Sequence, residues 1–129
     1  MTSGEPAAPI LLVEDDETLG NLLARNLRAH GYPVVIAGST EETITALEGG
    51  LRPSMVLLDI NLPGETGWSV LRHKAFEAAG RPPVVVASAM SVSPARLREF
   101  GIAGYLPKPF GLETLRSTIE RVLGSEGES

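Results

Sequence analysis

Five short runs of consecutive apolar residues alternate with longer stretches in which apolar residues recur at helical spacing. The runs cover residues 10–13, 34–37, 55–58 and 84–87, with a weaker one at about 104–106. Runs that are apolar at every position, rather than at alternate positions, are typical of strands covered on both faces. Strands that alternate with helices form a parallel sheet with right-handed crossovers. The sequence therefore predicts an α/β fold, a three-layer sandwich built from five β–α units.

Helical spacing of apolar residues follows the third and the fifth apolar runs. A helix is expected from about Trp68, with Leu71 and Ala75 on one face. The last helix carries the clearest amphipathic stripe of the chain, and Gly124 is placed to end it. One domain is expected over residues 9–124, with a flexible lead-in at 1–8 and a flexible tail at 125–129.

Composition excludes several classes of protein. The net charge is −5 and no basic run occurs, so this chain is not expected to bind nucleic acid directly. Cysteine is absent, which rules out disulfides, thiolate nucleophiles and zinc ribbons. The apolar runs are far shorter than the roughly 20 residues that a membrane-spanning helix needs. The first residues lack the features of a secretory signal, so a cytoplasmic protein without membrane contact is expected.

Polar residues follow four of the five runs, where the carboxyl ends of parallel strands meet at one edge of the sheet. They are Glu14, Asp15 and Asp16 after the first run, Asp59 after the third, Ser88 after the fourth and Lys108 after the fifth. Clustered carboxylates repel one another unless a cation intervenes, and Mg²⁺ with oxygen ligands is the natural occupant. One carboxylate could then attack a phosphoryl group, while the lysine and the hydroxyl stabilise its oxygens.

Four motifs, in order and each at a strand end, make the chain resemble the receiver domain of two-component response regulators over about residues 9–124. The motifs are Leu-Val-Glu-Asp-Asp at 12–16, Leu-Leu-Asp-Ile-Asn-Leu-Pro-Gly at 57–64 with Gly67, Ala-Ser-Ala at 87–89 and Tyr-Leu-Pro-Lys-Pro-Phe at 105–110. The resemblance implies a flavodoxin-like (βα)5 fold with a parallel five-stranded sheet in the order 2-1-3-4-5.

The resemblance also implies a metal site beside a phosphoacceptor. Asp59 would be the aspartate that accepts the phosphoryl group. Asp15 and Asp59 would bind Mg²⁺, with Mn²⁺ as an alternative ion. The backbone carbonyl of Asn61 would be a further ligand, and Glu14 would act through a water molecule.

The residues that contact and sense the phosphoryl group come from the last two strands. The side chains of Lys108 and Ser88 and the backbone of Ala89 would contact the phosphate. The peptide bond between Lys108 and Pro109 is expected to be cis. Ser88 and Tyr105 would form the switch that answers phosphorylation.

Two departures from the family pattern stand near the fourth helix. The stretch between Ser88 and Lys108 is a residue or two shorter than usual, so we expect the output face, and not the site, to depart from the family geometry. The residues that tune hydrolysis of the phosphoryl group in the family are matched here by Asn61 and Met90. Because Met90 cannot hold an attacking water by a hydrogen bond, slow self-hydrolysis is expected.

Two of these residues also have a purely structural interpretation. Asp16 is a stronger candidate for the N-cap of the first helix than for a ligand, which leaves open which two of Glu14, Asp15 and Asp16 form the acidic pair. Tyr105 has the alternative of a half-buried strand aromatic without a switch role.

The implied function is a phosphorylation-dependent signalling switch, not a multiple-turnover enzyme. A sensor histidine kinase or a histidine phosphotransfer protein would pass its phosphoryl group to Asp59. The conformational change that follows phosphorylation would reach the face formed by the fourth helix, the fifth strand and the last helix. The output partner is unknown, and the chain would be a monomer or a phosphorylation-dependent dimer.

Two other functions compete with this interpretation. The first is a degenerate receiver, a binding module that never takes phosphate. Such domains usually lose the acceptor, the lysine or an acidic residue, and all of these are present here. The second is a phosphatase of the haloacid-dehalogenase type, whose nucleophile follows the first strand with a second aspartate two residues later. Glu17 stands two residues after Asp15 in this chain, and Asn61 two residues after Asp59.

Overall fold

All five strands lie parallel in one sheet, and their order is β2-β1-β3-β4-β5, as predicted. The computed structural model describes residues 8–62, 64 and 66–127. The strands are β1 (Ile10–Val13), β2 (Val34–Ala37), β3 (Met55–Asp59), β4 (Val84–Ser88) and β5 (Gly104–Pro107). The helices are α1 (Glu17–Ala29), α2 (Thr40–Glu48), α3 (Trp68–Arg72), α4 (Lys74–Ala78), α5 (Pro94–Glu99) and α6 (Leu112–Gly127).

Helices cover the sheet on both faces and divide the apolar core into two clusters. Alternate strand residues belong to opposite clusters, since successive side chains of a strand point to opposite faces: Leu11 lies in one cluster and Leu12 in the other. Side chains from α1 and α6 complete the cluster of Leu12, and side chains from α2, α3 and α4 complete the cluster of Leu11. The predicted three-layer sandwich is confirmed.

The edge strand β2 departs from the expected coverage on both faces. Its two middle residues, Val35 and Ile36, are 37% and 36% exposed. The strand pairs with β1 on one side only, and a solid apolar run does not distinguish an edge strand from a central one.

The helix expected from about Trp68 is in fact two short helices, α3 and α4. The break falls at His73, whose backbone is extended (φ −78°, ψ 143°). The imidazole Nδ1 of His73 accepts a hydrogen bond of 3.0 Å from the backbone N–H of Ala75 and thereby caps α4. Leu71 before the break and Ala75 after it are both buried, so the apolar spacing continues across the break and gives no sign of it.

The prediction that Gly124 ends the last helix is wrong, because α6 continues to Gly127. A glycine inside a helix costs only about 1 kcal/mol relative to alanine, and no proline follows to stop the helix. The predicted tail at 125–129 thus overlaps the end of α6, and its residues 128–129 lie outside the described residues, as do residues 1–7 of the lead-in. Each helix that the structure describes is too short or too polar to span a lipid bilayer.

The helix α5 contacts the core through the partly buried Leu97 and through aromatic contacts near its ends. None of its six residues is fully buried. Phe100, which follows α5, stacks on Trp68 of α3 with ring centroids 5.0 Å apart. The guanidinium of Arg96 lies 5.4 Å from the centre of the Trp68 ring, a cation–π contact. Few buried contacts make α5 one of the more easily displaced elements of the fold.

Candidate functional site

The sheet brings the predicted polar residues together at its carboxyl edge. The structure places Asp59 and Ser88 as the last residues of β3 and β4, while Glu14 and Lys108 directly follow β1 and β5. Asp59 is in register with Ala87 of β4, so these neighbouring strands end at the same level. Glu14, Asp59 and Ser88 are all buried, whereas Asp15 is exposed.

The acidic cluster consists of Glu14, Asp15 and Asp59. One carboxylate oxygen from each of the three lies within 4.8 Å of the others. Asp16 has a different position, because its side chain accepts a hydrogen bond of 3.0 Å from the backbone N–H of Leu19 and caps α1. The structure therefore makes Asp16 the cap of α1 and places Glu14 and Asp15 in the cluster. The run of three acidic residues in the sequence left this assignment open.

Lys108 lies between two carboxylates of the cluster. Its Nζ is 2.8 Å from Oε1 of Glu14 and 3.2 Å from Oδ2 of Asp59. Burial alone lowers the pKa of Lys108, but the hydrogen bond to Glu14 and the negative charge of Asp59 outweigh it, and the pKa lies above its usual value. Lys108 therefore stays an ammonium ion at neutral pH.

Glu14 accepts a hydrogen bond on each of its carboxylate oxygens. Its Oε1 accepts from Lys108, and its Oε2 accepts a hydrogen bond of 3.1 Å from the backbone N–H of Asp16. Burial raises the pKa of Glu14 above its usual value, because desolvation outweighs these two bonds. Both oxygens of Glu14 therefore accept hydrogen bonds, as do both oxygens of Asp59, and the exposed Asp15 is the most accessible carboxylate of the cluster.

The donor set of the cluster fits a hard divalent cation. Three carboxylates face one ammonium, which leaves negative charge uncompensated within a few ångströms. Mg²⁺ takes one or two carboxylates and keeps several waters, and the exposed position of Asp15 leaves space for these waters. The residues that could hold such an ion are Glu14, Asp15 and Asp59.

A hydrogen-bond network connects Asp59 with Tyr105. The backbone N–H of Asn61 donates to Oδ1 of Asp59 at 2.9 Å, and Ser88 Oγ donates to the side-chain Oδ1 of Asn61 at 2.8 Å. The backbone N–H of Met90 donates to Ser88 Oγ at 3.0 Å. The hydroxyl of the half-buried Tyr105 lies 3.4 Å from the carbonyl oxygen of Met90.

The side-chain contact between Asn61 and Ser88 was not predicted from the sequence. The predicted roles of Asn61 were its backbone carbonyl as a metal ligand and an effect on hydrolysis. The two residues are 27 positions apart, and the only signal was that their strands, β3 and β4, end side by side.

Gly67 has a packing role that the motif alone did not explain. A Cβ atom at this position would lie 2.7 Å from the backbone oxygen of Asp59, closer than real Cβ contacts allow. The N–H of Gly67 donates to the carbonyl of Ile60 at 2.9 Å. A glycine here lets the backbone at Gly67 lie directly against the end of β3.

An apolar groove lies beside the acidic cluster, between α1 and the segment that joins β5 to α6. The peptide bond between Lys108 and Pro109 in this segment is cis. The groove has a volume of about 400 Å³. Its lining residues are Leu19, Leu22, Leu23, Ala89, Lys108, Pro109, Phe110 and Leu112. It therefore presents an apolar surface next to the ammonium of Lys108.

The chain is similar to known proteins in sequence and in structure. Residues 10–120 match the family model of the response regulator receiver domain. The uncharacterized transcriptional regulatory protein YkoG of Bacillus subtilis is 36% identical over 121 residues, which cover 92% of this chain and 52% of that protein. The chain thus spans about half the length of this curated relative.

Two solved structures extend the comparison. A CheY-like response regulator receiver domain protein from Methanospirillum hungatei superposes with a TM-score of 0.85 at 24% identity, covering 96% of this chain and all of the other, which shows the fold. The non-phosphorylated HemR receiver domain from Leptospira biflexa has a TM-score of 0.76 at 34% identity, with 91% and 94% covered. The chain belongs to the response regulator receiver domain family, whose members are signalling domains.

Proposed function

We propose that this receiver domain is a Mg²⁺-dependent switch in which Asp59 accepts a phosphoryl group from a phosphohistidine of a partner protein. The observation that carries the proposal is the position of Asp59. It is buried at the end of β3, 3.2 Å from the ammonium of Lys108 and within the acidic cluster. An ionised aspartate is itself a nucleophile, and the charges around it suit a phosphoryl group.

The transfer is an exchange of one bond for another. A carboxylate oxygen of Asp59 forms a bond to phosphorus while the bond between phosphorus and the histidine nitrogen breaks. The electron pair of the broken bond returns to the imidazole ring. Lys108, which already contacts Asp59, then binds an oxygen of the transferred group.

Asp15 and Asp59 would hold the metal ion, the backbone carbonyl of Asn61 would add a ligand, and Glu14 would act through water. Mn²⁺ is an alternative occupant, since it also accepts oxygen ligands. When bound, the ion neutralises negative charge on the phosphoryl oxygens.

Ser88 and Tyr105 transmit the change to the face formed by α5, β5 and α6. The hydroxyl of Ser88 and the backbone N–H of Ala89 donate to phosphoryl oxygens, and movement of Ser88 reaches Tyr105 through Met90. Because α5 has no fully buried side chain, its displacement costs little. The Ser88→Ala variant is expected to take phosphate with a much smaller change at this face, as seen in backbone NMR shifts. A full change in the variant would contradict the coupling.

Met90 and Asn61 set the lifetime of the phosphoryl group. The side chain of Met90 is 66% exposed and cannot hold an attacking water by a hydrogen bond. Slow hydrolysis is expected, and Met90→Glu is expected to shorten the lifetime. Equal lifetimes in the variant and the unaltered protein would count against this role.

The partners follow from the reaction and from the groove beside the site. The donor is a sensor histidine kinase or a histidine phosphotransfer protein, whose helices would pack on the apolar groove next to Lys108. The domain works in the cytoplasm, as a monomer or a phosphorylation-dependent dimer. It turns over only its own phosphoryl group and is not a multiple-turnover enzyme.

The deciding experiment is intact-protein mass spectrometry after incubation with acetyl phosphate, with and without Mg²⁺. A gain of one phosphoryl group that needs Mg²⁺ and is absent in Asp59→Asn would support both the reaction and its acceptor. No gain despite Mg²⁺ binding would favour a degenerate receiver. Repeated turnover of small phosphate esters would favour a phosphatase.

A further inference from the structure

The hydroxyl of Ser88 already donates its single proton in a hydrogen bond to the side chain of Asn61. Ser88 Oγ lies 2.8 Å from Asn61 Oδ1, to which it donates, and accepts from the backbone N–H of Met90 at 3.0 Å. A serine hydroxyl has one proton and two lone pairs. Ser88 can therefore keep its bond from Met90 when it turns to a new acceptor, but it cannot keep its bond to Asn61.

A phosphoryl group on Asp59 needs that same proton, if Ser88 is to donate to one of its oxygens as the proposed function requires. We propose that the side chain of Asn61 is a latch on Ser88, which competes with the phosphoryl group for the hydroxyl proton and thereby weakens the hold of the site on that group. The inference rests on the proposed function and adds a positioning role for Asn61. That role is separate from its backbone carbonyl and from any effect on hydrolysis.

The position of Asn61 suits a latch that is released from the phosphorylation site itself. Its backbone N–H donates to Oδ1 of Asp59 at 2.9 Å, while its side chain holds Ser88. The same residue thus contacts the acceptor through its main chain and the switch hydroxyl through its side chain. Modification of Asp59 acts directly on the loop that carries the latch.

The cost of release is limited to one neutral hydrogen bond. Asn61 is exposed, so its Oδ1 takes a hydrogen bond from water once Ser88 has turned away. Ser88 is buried, so its hydroxyl needs a protein or phosphoryl acceptor in both positions. The hydroxyl therefore has two defined positions, and the Asn61 side chain decides how strongly the first is favoured.

The test is a double-mutant cycle with beryllofluoride, which stands in for the phosphoryl group on the aspartate. Apparent affinity is measured in the presence of Mg²⁺ by ¹⁹F NMR of the bound species. The fluorescence of Trp68, the single tryptophan of the chain, follows the same titration. It is a suitable reporter because it lines the same cavity as Asn61 and Ser88.

The Asn61→Leu variant keeps a side chain of similar size without the acceptor. It is expected to bind beryllofluoride about three- to tenfold more tightly, because one competing neutral hydrogen bond is lost. On a Ser88→Ala background the same substitution is expected to change the affinity less than twofold. On a Ser88→Thr background, which keeps a hydroxyl, the gain is expected to return.

Two results would overturn the latch alone. One is wild-type protein that binds beryllofluoride, together with an Asn61→Leu variant that binds it equally or more weakly. The other is a gain of the same size on the Ser88→Ala background. Should Asn61→Leu fail to fold, as judged by circular dichroism, Asn61→Ala removes the same acceptor and carries the same test. Wild-type protein that does not bind beryllofluoride, or an Asp59→Asn variant that binds it as well, would overturn the proposed function and the latch with it.

Discussion

The ammonium of Lys108 lies 2.8 Å from the buried carboxylate of Glu14, although 94 positions separate the two residues in sequence. The pair joins the segment after β1 to the segment after β5, across the two strands β3 and β4, of which β3 carries Asp59. It therefore connects the two flanks of the candidate site as well as neutralising part of its charge.

Replacing Lys108 with methionine is expected to destabilise the Mg²⁺-free protein by about 3 kcal/mol, since it leaves two buried carboxylates without their cation. Lys108→Arg keeps the positive charge and is expected to lose less. Urea unfolding in a chelating buffer measures both free energies.

A background variant tests the cause of that loss. With Glu14→Gln already present, Lys108→Met is expected to cost less, because one of the two uncompensated charges is gone. An unchanged cost on this background, or a Lys108→Met variant as stable as the unaltered protein, would show that the ion pair does not hold this edge together.

Mg²⁺ is expected to stabilise the domain through the acidic cluster. At a concentration tenfold above the dissociation constant, binding adds about 1.4 kcal/mol to the free energy of unfolding. For a domain of this size, the melting temperature would rise by several degrees. Thermal unfolding with and without the ion measures the difference.

Neighbouring aspartates provide a matched control for the metal site. Asp15→Asn is expected to abolish most of the stabilisation by Mg²⁺, because Asp15 is the exposed member of the cluster. Asp16→Asn removes the same charge one position away and is expected to keep the stabilisation, since asparagine caps a helix as well as aspartate does. Equal losses in the two variants would mean that the ion responds to local charge and not to this cluster.

The sequence was sufficient to predict the fold and the edge of the sheet at which the acidic residues, Ser88 and Lys108 meet, because both follow from backbone rules. Parallel strands end at one edge, so the residues after each apolar run had to meet there, whatever their rotamers. Asp59 and Lys108 are 49 positions apart and nonetheless lie 3.2 Å from each other. Choosing the helix cap among three consecutive acids needed the local backbone geometry, which spacing alone does not determine.

Features that depend on side-chain conformation or on small local energies could not be predicted. The bond between Ser88 and Asn61 requires particular rotamers at two strand ends. The helix α6 continues past Gly124 and ends at Gly127. One glycine destabilises a helix too little to show from the sequence that the helix ends there. The break between α3 and α4 also depends on a small local energy, because a single side-chain cap at His73 stabilises it.

That cap gives a prediction about local stability. His73→Ala removes the acceptor for the N–H of Ala75 and is expected to cost about 1 kcal/mol in the free energy of unfolding, as for other lost helix caps. His73→Asn supplies a capping oxygen and is expected to recover most of that loss. Chemical denaturation of the two variants decides the matter, and an alanine variant as stable as the asparagine variant would contradict the capping role.

The apolar groove beside Lys108 gives a prediction about the donor protein. Leu22 on α1 lines this groove and is 49% exposed. A glutamate at this position would place a charge in an interface with the donor's helices and would have to lose its water there. Leu22→Glu is therefore expected to slow transfer from a histidine-phosphorylated donor protein at least about tenfold, equivalent to about 1.4 kcal/mol.

Acetyl phosphate separates docking from chemistry in the same variant. This small donor needs no protein interface, so its rate with Leu22→Glu is expected to stay within about twofold of the unaltered protein. Val35→Glu is the matched control, since Val35 is also a partly exposed apolar residue but lies on the edge strand β2 and not in the groove. That variant is expected to accept phosphate normally from both donors. If Leu22→Glu and Val35→Glu slowed the protein donor equally, or if Leu22→Glu slowed acetyl phosphate as much as the protein donor, the groove would not be the docking site.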